Sequence, residues 1–299
     1  MEEALHHNDK VYTYDPLPDE QGYFRYIVLK PGSGDDLLYC DIHIARIDDV
    51  SYEAISYVWG SEEEPEAILR GENMIPITVN LHAALARLRL PNKTSVLWAD
   101  SICIDQDNLL EKGHQVVQLS SMYRDADRVL ICLDADEDGH AIRAPAPIGE
   151  VIQRIQMVVA TIYPSKWNAF PWPDRDDRLL YDARWISIAV ILRQGSFTRG
   201  WVVREAAFAQ AAIIIWGSVE VTWSHLVETL VWATGRGVSL LESLGVVPEV
   251  HVLAYETQHL ERVRMFWSEE LWNSSSLLSY LNYGRSLGFR DARDRLFAF

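Results

Sequence analysis

Three short blocks, in fixed order along the chain, place polar or charged side chains beside apolar runs. They are residues 52–60 (YEAISYVWG), 97–106 (LWADSICIDQ) and 199–205 (RGWVVRE). In each block the polar groups fall at the end of an apolar strand or at the start of a helix. Open α/β sheets bind their ligands at that edge. We therefore predict one cleft lined by Trp59, Asp100 and Glu205.

The third block offers a carboxylate beside a flat aromatic ring. Trp201 and Glu205 are four positions apart, so on a helix they share a face. Both fall in the first turns, near the positive end of the helix dipole. This pairing suits recognition of a ribose or of a developing positive charge. The alternative is that Glu205 only complements the dipole or pairs with Arg199 or Arg204.

The second block places Asp100 at the carboxyl end of a short apolar strand. Asp105 and Asp107 follow in a loop, where they either cap the next helix or join the site. Cys103 lies between two isoleucines, in a run that favours a strand. A nucleophilic thiol needs a nearby base and a positive field. Core packing is therefore the favoured interpretation for Cys103.

The first block ends a strand and begins the turn after it. Its candidate substrate-binding residues are Ser56, Tyr57, Trp59 and Gly60. Glycine at position 60 allows close backbone approach or a positive φ. An aromatic core followed by a turn glycine is the alternative interpretation.

The elements that would position these blocks follow from hydrophobic periodicity and turn residues. Strands are predicted at residues 24–29, 37–43, 53–59, 67–70, 75–79, 95–99, 128–133, 212–216 and 219–223. The strand at 53–59 is dense in apolar residues, which predicts burial on both of its faces. The glycine-containing turns at 31–34, 71–73 and 217–218 predict hairpins or paired edge strands. Strand 95–99, a helix and strand 128–133 form a βαβ unit, which implies a parallel sheet.

Helices are predicted where apolar residues recur at helical spacing. Asn80 is expected to cap a helix whose stripe is Leu81, Ala84, Leu85 and Leu88. The helix of the βαβ unit has the stripe Val116, Leu119, Tyr123 and Ala126. Further helices are predicted at 148–163, 179–192 and, capped by Thr198, 199–210. A loop at 140–147 precedes the first of these, a Trp/Pro-rich break at 164–173 follows it, and residues 224–299 are predicted to be mostly helical.

Composition excludes several classes of partner. The 299-residue chain has a formal net charge of −16, which argues against nucleic-acid backbones and anionic membrane surfaces. No apolar run reaches the roughly 18 residues that span a membrane. The N-terminus is polar and acidic, unlike a signal peptide. The acidic runs at 62–66 and 134–138 are interpreted as solvated loops.

Cysteine and histidine usage predicts neither a metal site nor a disulfide. Cys40, Cys103 and Cys132 are interpreted as buried, reduced thiols of a cytosolic protein. The nine histidines show no zinc-ligand spacing. Glycine-rich phosphate loops, HExxH and GxSxG motifs are absent from the sequence.

The three blocks together resemble the heterokaryon-incompatibility (HET) domain of fungal proteins. The resemblance extends to ITVNLHAALARLR (77–89), EKGHQVVQLSSMYRDADRVL (111–130) and the final FRDARDRLFAF. It implies a flexible lead-in at 1–22 and a HET domain at 23–299. Where such domains usually carry Asn and Gln, this chain has Asp105 and Arg204, which add charge beside the expected site.

HET domains are in turn similar to TIR domains, and Trp201 and Glu205 fit the W-x-x-x-E pattern of TIR-type NAD hydrolases. This resemblance implies a TIR/flavodoxin-like parallel sheet flanked by helices, with added N-terminal strands. The expected core spans about 50–235, with an insertion at about 135–195 and a helical part at 236–299.

The implied function is fungal non-self recognition that triggers programmed cell death. Glu205 would be catalytic in NAD hydrolysis, with Arg199, Trp201 and Asp105 among the substrate-binding residues. NAD would be a substrate, and no cofactor is expected. The chain is expected to be cytoplasmic and to self-associate. A partner signalling protein or a further domain of a longer chain is also expected. The alternatives are a non-catalytic signalling adaptor and a nucleotide sensor.

Overall fold

The computed structural model describes residues 10–18, 21–61, 63, 65–161, 170–198, 205–206, 208–237, 240 and 244–245. The chain divides into two compact units. Unit 1 comprises Met1–Cys132 with Phe208–Ala211, and unit 2 comprises Leu133–Ala207 with Ala212–Phe299. Both contain helices and strands, which confirms the predicted mixed α/β class.

Unit 1 contains eight described strands. They are β1 (Lys10–Val11), β2 (Tyr23–Leu29), β3 (Cys40–Arg46), β4 (Glu53–Tyr57), β5 (Glu66–Arg70), β6 (Asn73–Ile77), β7 (Ser95–Trp98) and β8 (Arg128–Cys132). Five of them pair in the order β8-β4-β7-β2-β3. The other three form a small sheet in the order β1-β6-β5.

Strand β4 lies between two parallel neighbours, β7 and β8. Ala54 pairs with Trp98 of β7, and Tyr57 pairs with Cys132 of β8. The carboxyl ends of the three strands therefore lie at one edge of the sheet. All but the first residue of β4 are buried, in agreement with the predicted burial on both faces.

The two predicted N-terminal strand pairs are confirmed as antiparallel ladders. Strand β2 pairs with β3 along its whole length and also, antiparallel, with β7. Strands β5 and β6 pair across a turn in which Gly71 has a φ of +60°. Residues 10–12 lie within the segment expected as a lead-in. There β1 runs parallel to β6, and Tyr12 is 8% exposed.

Helix α1 (Val79–Leu88) buries Leu81, Ala84 and Leu85, as its stripe predicts. The predicted cap is wrong. Thr78 is the N-cap, and its side chain accepts the Leu81 backbone N–H at 3.4 Å. Asn80 lies inside the first turn, so its side chain is available for a contact with another segment.

Helices α2 (Asp100–Cys103) and α3 (Leu109–Arg124) follow β7. The predicted stripe of α3 is only partly correct. Tyr123 is buried, whereas Val116 is 42% exposed and Gln115 is buried instead. Helix α3 meets the start of β2 through polar contacts: Gln115 Nε2 donates to the Tyr23 carbonyl at 3.2 Å.

The described part of unit 2 contains helices and one hairpin. Its helices are α4 (Pro145–Thr161), α5 (Trp185–Arg193), α6 (Gly195–Thr198) and α7 (Trp223–Arg236), with a 3-10 turn at Arg178–Tyr181. Strands β9 (Ala212–Trp216) and β10 (Val219–Thr222) pair antiparallel across Gly217, as predicted. The core of the unit includes Trp185, which stacks on Trp232 with ring centroids 6.5 Å apart.

Two predicted boundaries in unit 2 are corrected. The segment expected to be a loop up to residue 147 already contains the start of α4, at Pro145. The helix predicted at 179–192 is split, because Asp182 ends the 3-10 turn in an extended conformation before α5 begins. The predicted break at 164–173 falls partly outside the described residues, as does nearly all of the C-terminal helical part. No helix among the described residues is both long and apolar enough to cross a membrane.

Candidate functional site

The first two sequence blocks meet at the carboxyl ends of β4 and β7. Trp59 lies two residues after the end of β4, and Asp100, which begins α2, lies two residues after the end of β7. The indole Nε1 of Trp59 donates to both carboxylate oxygens of Asp100, at 3.0 and 3.2 Å. Both side chains are half-buried. The structure thus confirms that two of the three blocks converge, and it does so through a charge-assisted hydrogen bond.

A second hydrogen bond joins the same two blocks. The hydroxyl of Tyr57, a buried residue, donates to Ser101 Oγ at 2.7 Å. Tyr57 is the last residue of β4, and Ser101 is the second residue of α2. Two side-chain pairs therefore join the end of β4 to the first turn of α2.

Gly60 meets both conditions that its prediction named. Its φ is +78°, in the left-handed region that favours glycine. A Cβ built on it would lie 2.8 Å from Asn80 Nδ2. Asn80 Nδ2 donates to the Val58 carbonyl at 2.9 Å, so α1 holds the turn that carries Trp59. A side chain larger than hydrogen at position 60 would collide with that contact.

Two buried oxygens beside these pairs have no hydrogen-bond partner among the described residues. They are Ser56 Oγ, on a side chain that is 1% exposed, and Gln106 Oε1. Ser56 immediately precedes Tyr57 on β4. Buried polar atoms are almost always satisfied by protein, ordered water or a bound molecule. Ser56 Oγ and Gln106 Oε1 are thus two buried acceptors whose partners are not among the described residues.

The loop after α2 is fixed by its own polar side chains. Gln106 Nε2 donates to the carbonyls of Asp100, at 3.0 Å, and Ile104, at 3.2 Å. Asp105 Oδ1 accepts the Asp107 backbone N–H at 3.1 Å, which forms an Asx turn.

The capping role considered for Asp105 and Asp107 is wrong. Asn108 caps α3, and its Oδ1 accepts the Glu111 N–H at 3.2 Å. Asp105, Asp107 and Asn108 are all short and polar, so sequence spacing alone did not show which of them caps the helix.

Cys103 lies in helix α2, rather than in the strand-like run expected for it. The residue is fully buried, and burial raises the pKa of its thiol to about 12. Cys40 and Cys132 are also buried, with thiol pKa values raised by burial to about 12. A thiol with such a pKa carries almost no thiolate at neutral pH. The structure therefore supports the core-packing interpretation of Cys103.

The third block is only partly described. Glu205 lies in helical backbone within unit 2, and its side chain is half-buried. Arg199, Trp201 and Arg204 lie outside the described residues. Convergence of this block with the first two therefore stays a prediction. Within the described part of the chain, no three His, Cys, Asp or Glu side chains are grouped to hold a metal ion.

Sequence reasoning missed several residues that build this site. Ser101, Asn80 and Gln106 position the site by the contacts described above. Arg25 and Glu111 form an ion pair beneath α2, with side chains 1% and 9% exposed. One signal was present, because Arg25 interrupts the otherwise apolar and aromatic strand FRYIVL. A charged residue in such a run indicates a buried partner.

The fold and the two joined blocks define an α/β protein with a polar cluster at the carboxyl ends of parallel strands. The family model described as "Heterokaryon incompatibility protein (HET)" matches residues 52–205, or 154 of the 299 residues. These limits coincide with the start of the first block and the end of the third. The chain belongs to the heterokaryon incompatibility family.

A curated relative supports the same assignment over a similar length. The chain is 33% identical over 159 residues to "Heterokaryon incompatibility protein 6, OR allele" from Neurospora crassa. The match covers 47% of this chain and 23% of the relative, so it spans about a quarter of that protein's length. No solved structure matches the chain.

Proposed function

We propose that the chain acts in fungal non-self recognition, as the name of its relative suggests, and that it binds and hydrolyses NAD. Asp100, Trp59, Tyr57, Ser56 and Gly60 would be substrate-binding residues. Glu205 would supply the carboxylate for hydrolysis, with Trp201, Arg199 and Asp105 as further substrate-binding residues.

The observation that carries the binding proposal is the Trp59–Asp100 pair at the carboxyl end of β4 and β7. The parallel strands lie in the order β7-β4-β8, with β4 first in the chain. Flavodoxin-like sheets begin with this order, and they bind their nucleotide at the carboxyl ends of the strands, at the switch point between the first and third strands, which correspond to β4 and β8 here. We therefore expect the ligand at the carboxyl end of β4, against Trp59, whose indole also contacts Asp100 on the β7 side.

The chemistry of these side chains fits a nucleoside. A carboxylate at a strand end accepts hydrogen bonds from ribose hydroxyls, as acidic residues do in dinucleotide-binding sheets. An indole ring provides a flat surface for a base or for a nicotinamide ring. The unpartnered oxygens of Ser56 and Gln106 would accept hydrogen bonds from hydroxyl or amide groups of the ligand.

Hydrolysis of NAD places few demands on the protein. Nicotinamide leaves as a neutral base from a cationic precursor, so no general acid is needed. One carboxylate can stabilise the oxocarbenium-like ribose and then orient water. Ordinary glycosidases need two carboxyl groups instead. Glu205 is the residue that we assign to this task, from its position in the W-x-x-x-E pattern.

A second candidate function is a non-catalytic signalling adaptor. Leu109, Leu110 and Val117 of α3 are 80%, 79% and 83% exposed. Exposed aliphatic residues grouped on one helix indicate a surface that contacts another protein. An adaptor would signal without turnover of NAD, whereas a nucleotide sensor would bind NAD without cleaving it.

Calorimetric titration of NAD into the chain and its Asp100→Asn variant tests the binding proposal. The wild type should bind, and Asp100→Asn should bind at least about tenfold more weakly, because a hydrogen bond to a charged group contributes roughly 1.5–3 kcal/mol. Asp107→Asn, which removes an exposed carboxylate from the loop after α2, should leave affinity unchanged. Absence of binding to the wild type would favour the adaptor.

A further inference from the structure

A buried ion pair lies beneath the site and is not part of it. Arg25, in the middle of β2, is paired with Glu111 in the first turn of α3. The contact is bidentate: Nη1 donates to Oε1, and Nη2 donates to Oε2 at 3.0 Å. The arginine side chain is 1% exposed and the glutamate side chain 9%.

The two side chains bind backbone groups in the N-terminal segment, at the end of α2 and in the loop after α2. Arg25 Nη1 donates to the Cys103 carbonyl at the end of α2, at 3.4 Å. Its Nη2 donates to the Asp15 carbonyl, at 2.5 Å. Glu111 Oε1 accepts the backbone N–H of Asp105, in the loop after α2, at 3.0 Å. The last turn of α2 and the residue that follows its C-cap are therefore bound to the same two side chains.

Tyr14 adds a further contact from the N-terminal segment. Its hydroxyl donates to the Ile102 carbonyl of α2 at 2.9 Å. The Arg25 guanidinium carbon lies over the Tyr14 ring, 4.9 Å from the ring centroid, which is a cation–π contact. Burial raises the pKa of this hydroxyl, so it remains protonated and a donor across the physiological range.

We propose that Arg25 and Glu111 are positioning residues, which set the place of α2 and thereby of the Asp100 carboxylate that Trp59 contacts. The effect of this positioning on ligand binding rests on the proposed function, whereas the placement of α2 and of Asp100 does not. Helix α2 has a single turn and no side-chain N-cap bond, so its placement depends on contacts from outside.

A role in stability alone does not account for the pair. Removing two charges from water costs several kcal/mol per ion, and well-packed apolar side chains of similar volume often give equal or greater stability. Apolar replacements cannot bind the Cys103 carbonyl or the Asp105 N–H, however. The bonds that only the charged pair can make are those that hold α2 and its loop.

The test replaces both charges together. In the chain labelled with ¹⁵N-tryptophan, the Trp59 indole N–H reports its hydrogen bond to Asp100, and the Trp59→Phe variant assigns its signal. In the Arg25→Met/Glu111→Leu double variant this signal should shift, and its hydrogen exchange should become at least about tenfold faster. Loss of one charge-assisted hydrogen bond gives a change of that size.

A matched control comes from the same sheet. Arg128 pairs with Glu53 at the amino ends of β8 and β4. The Arg128→Met/Glu53→Leu variant removes an ion pair from the opposite edge and should leave the Trp59 signal in place. An unchanged Trp59 signal in the folded Arg25/Glu111 double variant would overturn the proposal.

A second variant serves if the double variant does not fold. Arg25→Lys keeps the charge but loses the planar fork that makes the bidentate contact. It should shift the Trp59 indole signal and accelerate its exchange, and an unchanged signal would again count against positioning. If the wild type binds no NAD, the proposed function fails, while the indole readout still decides the positioning claim.

Discussion

At the scale of single residues, the turn after β4 depends on Gly60. A positive φ costs a residue with a Cβ about 1–2 kcal/mol. At Gly60 there is a second cost, because the Cβ would press against the Asn80 amide, 2.8 Å away. That amide is bonded to the Val58 carbonyl, so it has little freedom to move.

We predict that Gly60→Ala destabilises the chain more than Gly71→Ala does. Gly71 has a similar φ of +60°, but a Cβ there would meet nothing within 4 Å. Gly71→Ala should therefore cost about 1–2 kcal/mol for the backbone alone. Gly60→Ala should cost about 1 kcal/mol more, as overpacked sites do. Urea denaturation midpoints of the two variants measure the difference. Equal midpoints would mean that the Asn80 contact does not restrict position 60.

At the scale of elements, the sequence patterns that predicted structure well are those with a local physical cause. Glycine turns flanked by β-branched and aromatic residues predicted the β5–β6 and β9–β10 hairpins, because such turns need a positive φ. The continuous apolar run of β4 predicted burial on both faces. These features depend on neighbours in sequence, which a single chain displays.

Helix α3 shows why other predictions failed. Its aliphatic spacing predicted that Val116 faces the core, whereas Glu111, Gln115 and Gln118 face β2 and the residue before it. A periodicity argument assumes that apolar side chains make the contact. Here the contact consists of the ion pair with Arg25 and of hydrogen bonds with the Tyr23 carbonyl and the Gly22 N–H. These partners lie 86, 92 and 96 positions away in the sequence. That distance hides the partner from any local pattern.

The residues of the candidate site also divide into those that a local sequence pattern predicts and those that it does not. The contact between Trp59 and Asp100 was predictable, because each follows the carboxyl end of a strand, and parallel strands bring their carboxyl ends together. The contact between Tyr57 and Ser101 was not, since Ser101 has no distinguishing neighbours. Asn80 was assigned to a cap because amides cap helices well, but Thr78 occupies that position.

At the scale of the whole molecule, buried ionisable groups set the alkaline limit of stability. Burial raises the pKa of Cys40, Cys103 and Cys132 to about 12, against roughly 8.5 for an unfolded cysteine. Between these values the native thiol keeps its proton and the unfolded thiol loses it. The stabilisation is therefore fully present below about pH 8.5 and is lost as the pH rises towards 12.

We predict that the free energy of unfolding falls with rising pH above about 9. Each buried thiol contributes a slope of up to roughly 1.4 kcal/mol per pH unit. Cys103→Ala should reduce the slope by about that amount, whatever it does to stability at neutral pH. Urea titrations at several pH values from 7 to 10.5 measure both slopes. Parallel curves for the wild type and the variant would show that Cys103 does not resist ionisation.

We propose that this chain, a member of the heterokaryon incompatibility family, hydrolyses NAD through Glu205. The most direct measurement is the release of free nicotinamide by the purified chain at high protein concentration, beside Glu205→Gln. That substitution keeps the shape and removes the charge.

A carboxylate that stabilises the transition state should account for at least about a 100-fold change in rate. Loss of a favourable contact with the helix dipole should cost only about 0.3–1 kcal/mol of stability. We predict that the wild type releases nicotinamide, and that Glu205→Gln remains folded with its rate reduced by at least that factor. Equal release by both proteins would contradict the catalytic assignment, and no release by the wild type would leave the adaptor and the nucleotide sensor as the remaining functions.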